Sequence, residues 1–160
     1  MGYYMTACIC LNGHVVTDRV ERGFGTPFCS ECGEKTITAC PSCDTNIRGD
    51  YQMEGAVFIG AGIAPAKPYC HACGAPYPWT QRKLDGIAEL AEAIEELTTH
   101  EREVLSELMP HLVEETPRTP AAGLKVAAIV RKLAGPTKKI MTDAIVSVAV
   151  EAGKKALGFG

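Results

Sequence analysis

The chain has 160 residues, 22% of them charged, a formal net charge of -3 at pH 7, and eight cysteines that all fall within the first 73 residues. No basic stretch followed by an apolar core opens the sequence, which argues against export and so against a secreted disulfide scaffold. No stretch offers the roughly 20 uninterrupted apolar residues of a spanning helix, so no membrane span is expected.

In chain order, short strand candidates come first, at residues 4–9, 14–19, about 35–39, 51–53 and 56–59. Gly23-Phe24-Gly25-Thr26-Pro27 reads as a turn. Residues 60–68 form a pliable run whose glycines lack the spacing of a phosphate-cradling loop. Beyond Pro78 the apolar period becomes helical, and a first helix is expected over residues 80–97 with Leu84, Ile87, Ala91, Ile94 and Leu97 on its stripe. Thr98 and Glu101 have capping-box spacing for a second helix to about residue 113, which Pro110 should kink or stop. Thr119-Pro120 reads as a cap followed by proline at the first helical position of a third helix, ending near Gly135. A fourth is expected over residues 137–157, apolar almost all round and therefore buried among the others. The expected fold class is α+β: small β-rich tandem zinc ribbons over residues 1–79, followed by an α-helical domain of three to four helices over residues 80–160.

The zinc expectation comes from the cysteine spacing. The pairs are Cys8/Cys10, Cys29/Cys32, Cys40/Cys43 and Cys70/Cys73. A C-x2-C step turns two thiolates toward one tetrahedral ion, and two such steps close a structural site with four protein ligands. The residue after a step often needs φ > 0, which Gly33 and Gly74 would supply. Cys10, His14, Cys29 and Cys32 make one four-ligand set, with Asn12-Gly13 at the turn between the first two. Cys40, Cys43, Cys70 and Cys73 make the other. Cys8 is left over: it either replaces Cys10 or His14 or is a buried thiol on the strand leading in. The pairs could also interleave, first with third and second with fourth, as in a cross-brace. In each case two structural Zn²⁺ ions are expected, and a module with so few apolar residues would depend on them for folding. His71, between the two cysteines of the last pair, is read as a non-ligand. Trp79, at the junction with the first helix, is expected to pack module and helix together.

The net charge hides a sorting of sign. Residues 80–115 carry three basic and ten acidic side chains, and residues 116–160 carry eight and two. Such blocks can face each other within one chain or between chains. Closed four-ligand sets leave zinc no open position for substrate, and His71, His100 and His111 have no partner at a spacing that enforces contact. Enzyme activity is therefore not expected.

The order CICLNGH, FCSECG, ACPSC with NIRG, and PYCHACGAPYPWT running into a helix resembles a little-characterised bacterial family of small proteins with paired zinc ribbons. The likeness covers about residues 5–85 and is most specific over residues 69–80. It implies a cytoplasmic zinc-ribbon protein in which Cys10, His14, Cys29 and Cys32 serve one site and Cys40, Cys43, Cys70 and Cys73 the other. The expected function is that of a zinc-binding adaptor or assembly protein acting through protein–protein contacts, with an unidentified protein partner or a second copy of itself. The alternative is a nucleic-acid-associated regulator using the basic C-terminal helices, through Arg131/Lys132, Lys138/Lys139 and Lys154/Lys155.

Overall fold

The computed structural model describes residues 1–55 and 62–158. The chain divides into two compact units, residues 1–81 and 82–160.

In the first unit the strand expected at residues 4–9 is two strands in two sheets. β1 (Gly2–Thr6) pairs antiparallel with β5 (Arg48–Met53), while β2 (Cys8–Cys10) is the middle of a three-stranded antiparallel sheet between β3 (Val15–Thr17) and β4 (Thr36–Ile37). The switch falls at Ala7, whose N–H goes to the carbonyl of Ile47 at 2.8 Å. A register shift between Tyr4 and Thr6 bends the chain there, as a bulge does. β5 starts earlier than its sequence suggests because the poor strand formers Gly49 and Asp50 are held from outside, with Asp50 N–H donating to the Asp18 carbonyl at 2.9 Å. The strand expected at residues 56–59 lies outside the described residues. A small core gathers Ala7, Ile9, Cys40, Ile47, Cys70, Tyr77 and Trp79.

The helices are α1 (Pro78–Ala93), α2 (Thr99–Leu108), α3 (Pro110–Val113), α4 (Thr119–Lys132), α5 (Gly135–Val148) and α6 (Glu151–Leu157). Two expected helices are thus each divided. Pro110 ends one helix and opens the next, having no N–H to continue the ladder. The expected 137–157 helix breaks at Ala149 and Val150, both extended, and the freed Val150 N–H donates to the Leu112 carbonyl at 2.8 Å. α6 then lies close on α4: a Cβ on Gly123 would come within 2.3 Å of the Ala156 Cβ, so only glycine fits.

Several ends are held by side chains. Arg102 of α2 reaches back to the last turn of α1, donating Nε–H to the Ala91 carbonyl at 3.0 Å and Nη2–H to the Ile94 carbonyl at 2.9 Å. α1 ends at Ala93, short of the expected residue 97. The Thr98/Glu101 capping box forms as expected. Thr119 does not cap α4. It is buried, donates to the His111 carbonyl at 2.7 Å and accepts from Thr116 N–H at 2.8 Å, closing the α3–α4 loop. The expected all-round burial of the last helix is also corrected: α5 buries Met141 and Ile145 but leaves Ile140 54% exposed. Leu105, Met109, Leu112, Val126, Met141 and Ile145 are among the residues at the centre of this unit.

The opposed charge blocks meet within this unit. Lys132 Nζ lies 2.6 Å from Glu101 Oε1, and Arg118 Nη2 lies 3.1 Å from Glu107 Oε1. The Lys132 ammonium, with the Thr98 N–H and hydroxyl, holds the Glu101 carboxyl down to about 2 from 4.5. A carboxyl depressed on folding stabilises the native state above its unfolded value and loses that contribution as pH falls through the folded one. Glu101→Gln should therefore lower the melting temperature at pH 7, with the deficit shrinking below about pH 4.5 and gone by about pH 2. Parallel thermal melts across that range check it. Among the described residues, no helix is long and apolar enough to cross a membrane.

Candidate metal centres

The three C-x2-C steps are copies of one backbone device. In each, the first cysteine's carbonyl accepts from the N–H four residues on: Gly33, Asp44 and Gly74 donate to Cys29, Cys40 and Cys70 at 2.8 to 2.9 Å. Each first cysteine's own N–H goes one residue further, to the carbonyls of Glu34, Thr45 and Ala75 at 2.8, 2.9 and 2.9 Å. A one-bridge antiparallel contact closes each loop, at Phe28↔Lys35, Ala39↔Asn46 and Tyr69↔Pro76. The turn needs positive φ at the residue after the second cysteine, and all three have it, at 72°, 57° and 73° for Gly33, Asp44 and Gly74. The middle loop therefore uses the same geometry without glycine, which aspartate tolerates at lower cost than most residues. Gly74→Ala should destabilise the first unit by about 1–2 kcal/mol through the left-handed penalty, and Asp44→Gly should be neutral or stabilising. Denaturant melts followed by tryptophan fluorescence check both.

The first pair is built differently. CLNGH closes by Gly13 N–H on the Cys10 carbonyl at 2.8 Å and Cys10 N–H on the His14 carbonyl at 3.0 Å, while His14 N–H points at Cys10 Sγ at 3.3 Å. Asn12 Nδ2 donates to Cys32 Sγ at 3.5 Å.

These loops bring the donors together as two tandem sets, Cys10/His14/Cys29/Cys32 and Cys40/Cys43/Cys70/Cys73, each with all its ligand atoms within 4.8 Å of one another. The first and third pairs do not converge. In the first set, His14 Nδ1 is 3.5 Å from Cys10 Sγ and 3.6 Å from Cys29 Sγ, and Cys10 and Cys32 sulfurs are 3.8 Å apart. In the second, Cys40–Cys73 and Cys43–Cys70 sulfurs are 3.8 and 3.7 Å apart. A tetrahedral ion with bonds of about 2.3 Å to sulfur and about 2.0–2.1 Å to nitrogen puts its ligand atoms about 3.8 Å (S···S) and about 3.6 Å (S···N) apart. The donors fit that polyhedron and are far too separated for a disulfide, whose sulfurs lie about 2.05 Å apart. The clusters are geometrically suited to metal coordination.

Electrostatics agree with the geometry. The N–H groups of Cys73 and Ala72 hold the Cys70 thiol down to about 6, and the N–H of Glu34 holds Cys32 down to about 7. Cys73 receives the lowering N–H of Ala75 yet is pushed up to about 11 by sharing protons with Cys43, by burial, and by sharing protons with Cys70 and Cys40. A set of thiols this close cannot all ionise unless a cation balances them. His14 Nδ1 faces the sulfurs, while its Nε2 points away from them with Glu31 Oε2 at 3.8 Å, beyond hydrogen-bond distance.

Three residues outside the sets are now located. Cys8 is buried, its sulfur 3.7 Å from the Thr26 carbonyl, and lies outside both clusters. His71 is exposed and also outside them. Trp79, expected at a junction, is buried in the core of the first unit. Its ring stacks on Tyr77 with centroids 4.7 Å apart, its Nε1–H donates to the Lys67 carbonyl at 2.9 Å, and a Cβ on Gly13 would lie 3.1 Å from its own Cβ. Nothing in the spacing of YPWT signals this place; the proline-rich approach at Lys67-Pro68, whose carbonyls take Trp79 and Thr80, was the available hint.

An N-terminal region of small antiparallel sheets with two Cys-rich four-donor clusters, followed by a helical bundle, defines the class: a small α+β protein with two candidate metal centres. The family described as "Uncharacterized protein conserved in bacteria (DUF2321)" matches residues 3–157, and the chain belongs to it. No curated protein and no solved structure matches the chain.

Proposed function

We propose that the chain is a zinc-binding adaptor or assembly protein, in which Cys10, His14, Cys29 and Cys32 hold one structural Zn²⁺ and Cys40, Cys43, Cys70 and Cys73 a second. The observation that carries this reading is closure. Each set supplies four donors at tetrahedral spacing, which saturates zinc and leaves no coordination position for water or substrate. The ions then act as staples for tandem zinc ribbons, and function lies in what the stapled surface presents. Seven zinc-ligating cysteines and the unpaired Cys8, none of them in a disulfide, call for a reducing compartment, and on this reading the protein works in the cytoplasm.

A protein partner is favoured by where apolar surface remains. Tyr3, Tyr4, Tyr51 and Met53 of the β1–β5 sheet are 41 to 56% exposed, and aromatic and methionine side chains are enriched where proteins meet. The nucleic-acid alternative is weakened because Arg118, Lys132, Lys139 and Lys154 already face carboxylates. The test combines two measurements on full-length protein. Metal analysis should return two zinc per chain, and one or none would overturn the structural assignment. Affinity capture from the native cell should recover a protein that Tyr3→Ser/Tyr4→Ser/Tyr51→Ser loses and Lys155→Gln keeps; nuclease-sensitive recovery instead would favour the alternative.

A further inference from the structure

A cavity of about 420 Å³ lies among α4, α5 and the end of α6, entirely within the helical unit. Its floor is apolar, made by the buried side chains of Val130, Ile145 and Leu157. Its mouth is cationic: Arg131 and Lys138 are exposed and line it from α4 and α5, with the half-buried hydroxyl-bearing Thr142 one turn beyond Lys138. Among the described residues, no carboxylate lines it.

The two cations differ from the segment's other basic residues in lining the cavity without an ion pair among the described residues. In the basic segment, Arg118, Lys132, Lys139 and Lys154 are each within ion-pair distance of a carboxylate. Among the described residues Arg131 and Lys138 form no ion pair. The Arg131 Nε–H is anchored on the Ala127 carbonyl at 3.2 Å, which fixes the guanidinium at the cavity wall and leaves its terminal nitrogens to meet a ligand. Lys125 and Lys155 are also without ion pairs, but they do not line the cavity. An apolar floor, a lining hydroxyl and two cations without an ion pair among the described residues are the elements of a ligand site, and the volume lies within the usual range of about 300–1,000 Å³.

We propose that this cavity binds a small amphipathic monoanion, a carboxylate with an apolar body, whose tail lies on Val130, Ile145 and Leu157. Its head is taken by Arg131, Lys138 and the Thr142 hydroxyl. Arginine suits the head because its fork meets a carboxylate with two parallel hydrogen bonds. The site is separate from the cysteine clusters and does not depend on the zinc reading.

The test uses full-length, metal-loaded protein and three probes of equal chain length: decanoate, decanol and decyltrimethylammonium, each titrated by calorimetry. The expected result is one decanoate per chain, bound at least about tenfold more tightly than decanol, with the cation not binding, since each 1.4 kcal/mol of head-group interaction is tenfold in affinity. Arg131→Gln and Lys138→Gln should each weaken decanoate about fivefold to tenfold while leaving decanol unchanged. Lys125→Gln and Lys155→Gln should change neither. Equal affinity for decanoate and decanol would overturn the proposal, as would equal weakening by Lys125→Gln, which would mean a diffuse charge effect. Absence of saturable decanoate binding would overturn it too. All four sites are exposed, so unchanged melting curves are expected; a variant that melts early is replaced by Arg131→Lys, which should retain part of the decanoate affinity.

Discussion

Stripping metal from the full-length protein with a strong chelator is expected to unfold residues 1–81 and leave the helical unit folded. The first unit has little else to hold it. Its core is small, and two of the side chains in it, Cys40 and Cys70, are themselves members of the second cluster. Its sheets have strands of two to six residues, and isolated pairs of such strands are marginal in water. A structural zinc contributes about 10–16 kcal/mol of apparent binding free energy in small domains, which is folding free energy when the apo site does not persist. Two ions lost therefore exceed a typical domain's whole stability of about 5–15 kcal/mol. By contrast, the helical core is made of Leu105, Leu112, Val126, Ile145 and their neighbours and contains no cysteine.

The chain carries one tryptophan, which makes the outcome easy to read. Trp79 is 3% exposed against the Cys10–His14 loop, so its emission should shift to the red on chelation, while most of the helical far-UV ellipticity remains. Readdition of zinc should reverse the shift with a midpoint near two equivalents. An unmoved emission maximum in protein shown to be metal-free would sink the staple reading. Cys70→Ser should reproduce much of the chelated state, because it opens one site and alters a core position together.

How much of this was readable in the chain follows from how locally each feature is encoded. The knuckles were legible because their geometry is a matter of a few consecutive residues: two cysteines three apart, then a residue at positive φ. The change to helical periodicity beyond Pro78 gave the α+β class for the same reason, as did the Thr98/Glu101 box, whose partners are one turn apart. Most features that failed depend on residues outside the local window in which they were read. The exchange of sheets at Ala7 is set by Ile47, some forty residues on. The break in the last helix is set by the Leu112 carbonyl, and its one mark in the sequence, Gly153, where a Cβ would lie 2.9 Å from that carbonyl, comes three residues past the break. Thr119 sat before a proline in the position of a cap, but the nearby His111 carbonyl and Thr116 N–H took its hydroxyl. Asp44 hid the middle knuckle's kinship because aspartate is a less obvious signal of φ > 0 than glycine, although the backbone makes the same turn. The charge blocks gave a pairing within or between chains, and the structure shows two pairs of the first kind, Glu101–Lys132 and Glu107–Arg118.

Trp79→Ala is expected to be the most damaging single substitution outside the cysteines in the first unit, costing about 3–5 kcal/mol, the usual range for removing a buried aromatic. Three losses coincide there. The indole leaves a void beside Tyr77 and against the Cys10–His14 loop, the Lys67 carbonyl loses its donor, and the aromatic stack at 4.7 Å disappears. Trp79→Phe keeps part of the stack and most of the volume and should cost less, about 1–3 kcal/mol, chiefly for the unpaired carbonyl. If metal binding and folding of this unit are one event, these penalties must also appear as weaker zinc affinity. Each 1.4 kcal/mol is a factor of ten, so Trp79→Ala should lower apparent affinity by about two to three and a half orders of magnitude, although the residue touches no metal. Competition against a chelator of graded affinity measures this, and helical-unit melts serve as the internal control. Unchanged zinc affinity in a destabilised Trp79→Ala protein would mean that the donor sets are preformed without the core. The ions would then be passengers on the fold, and the closed geometry of the clusters would need a different explanation.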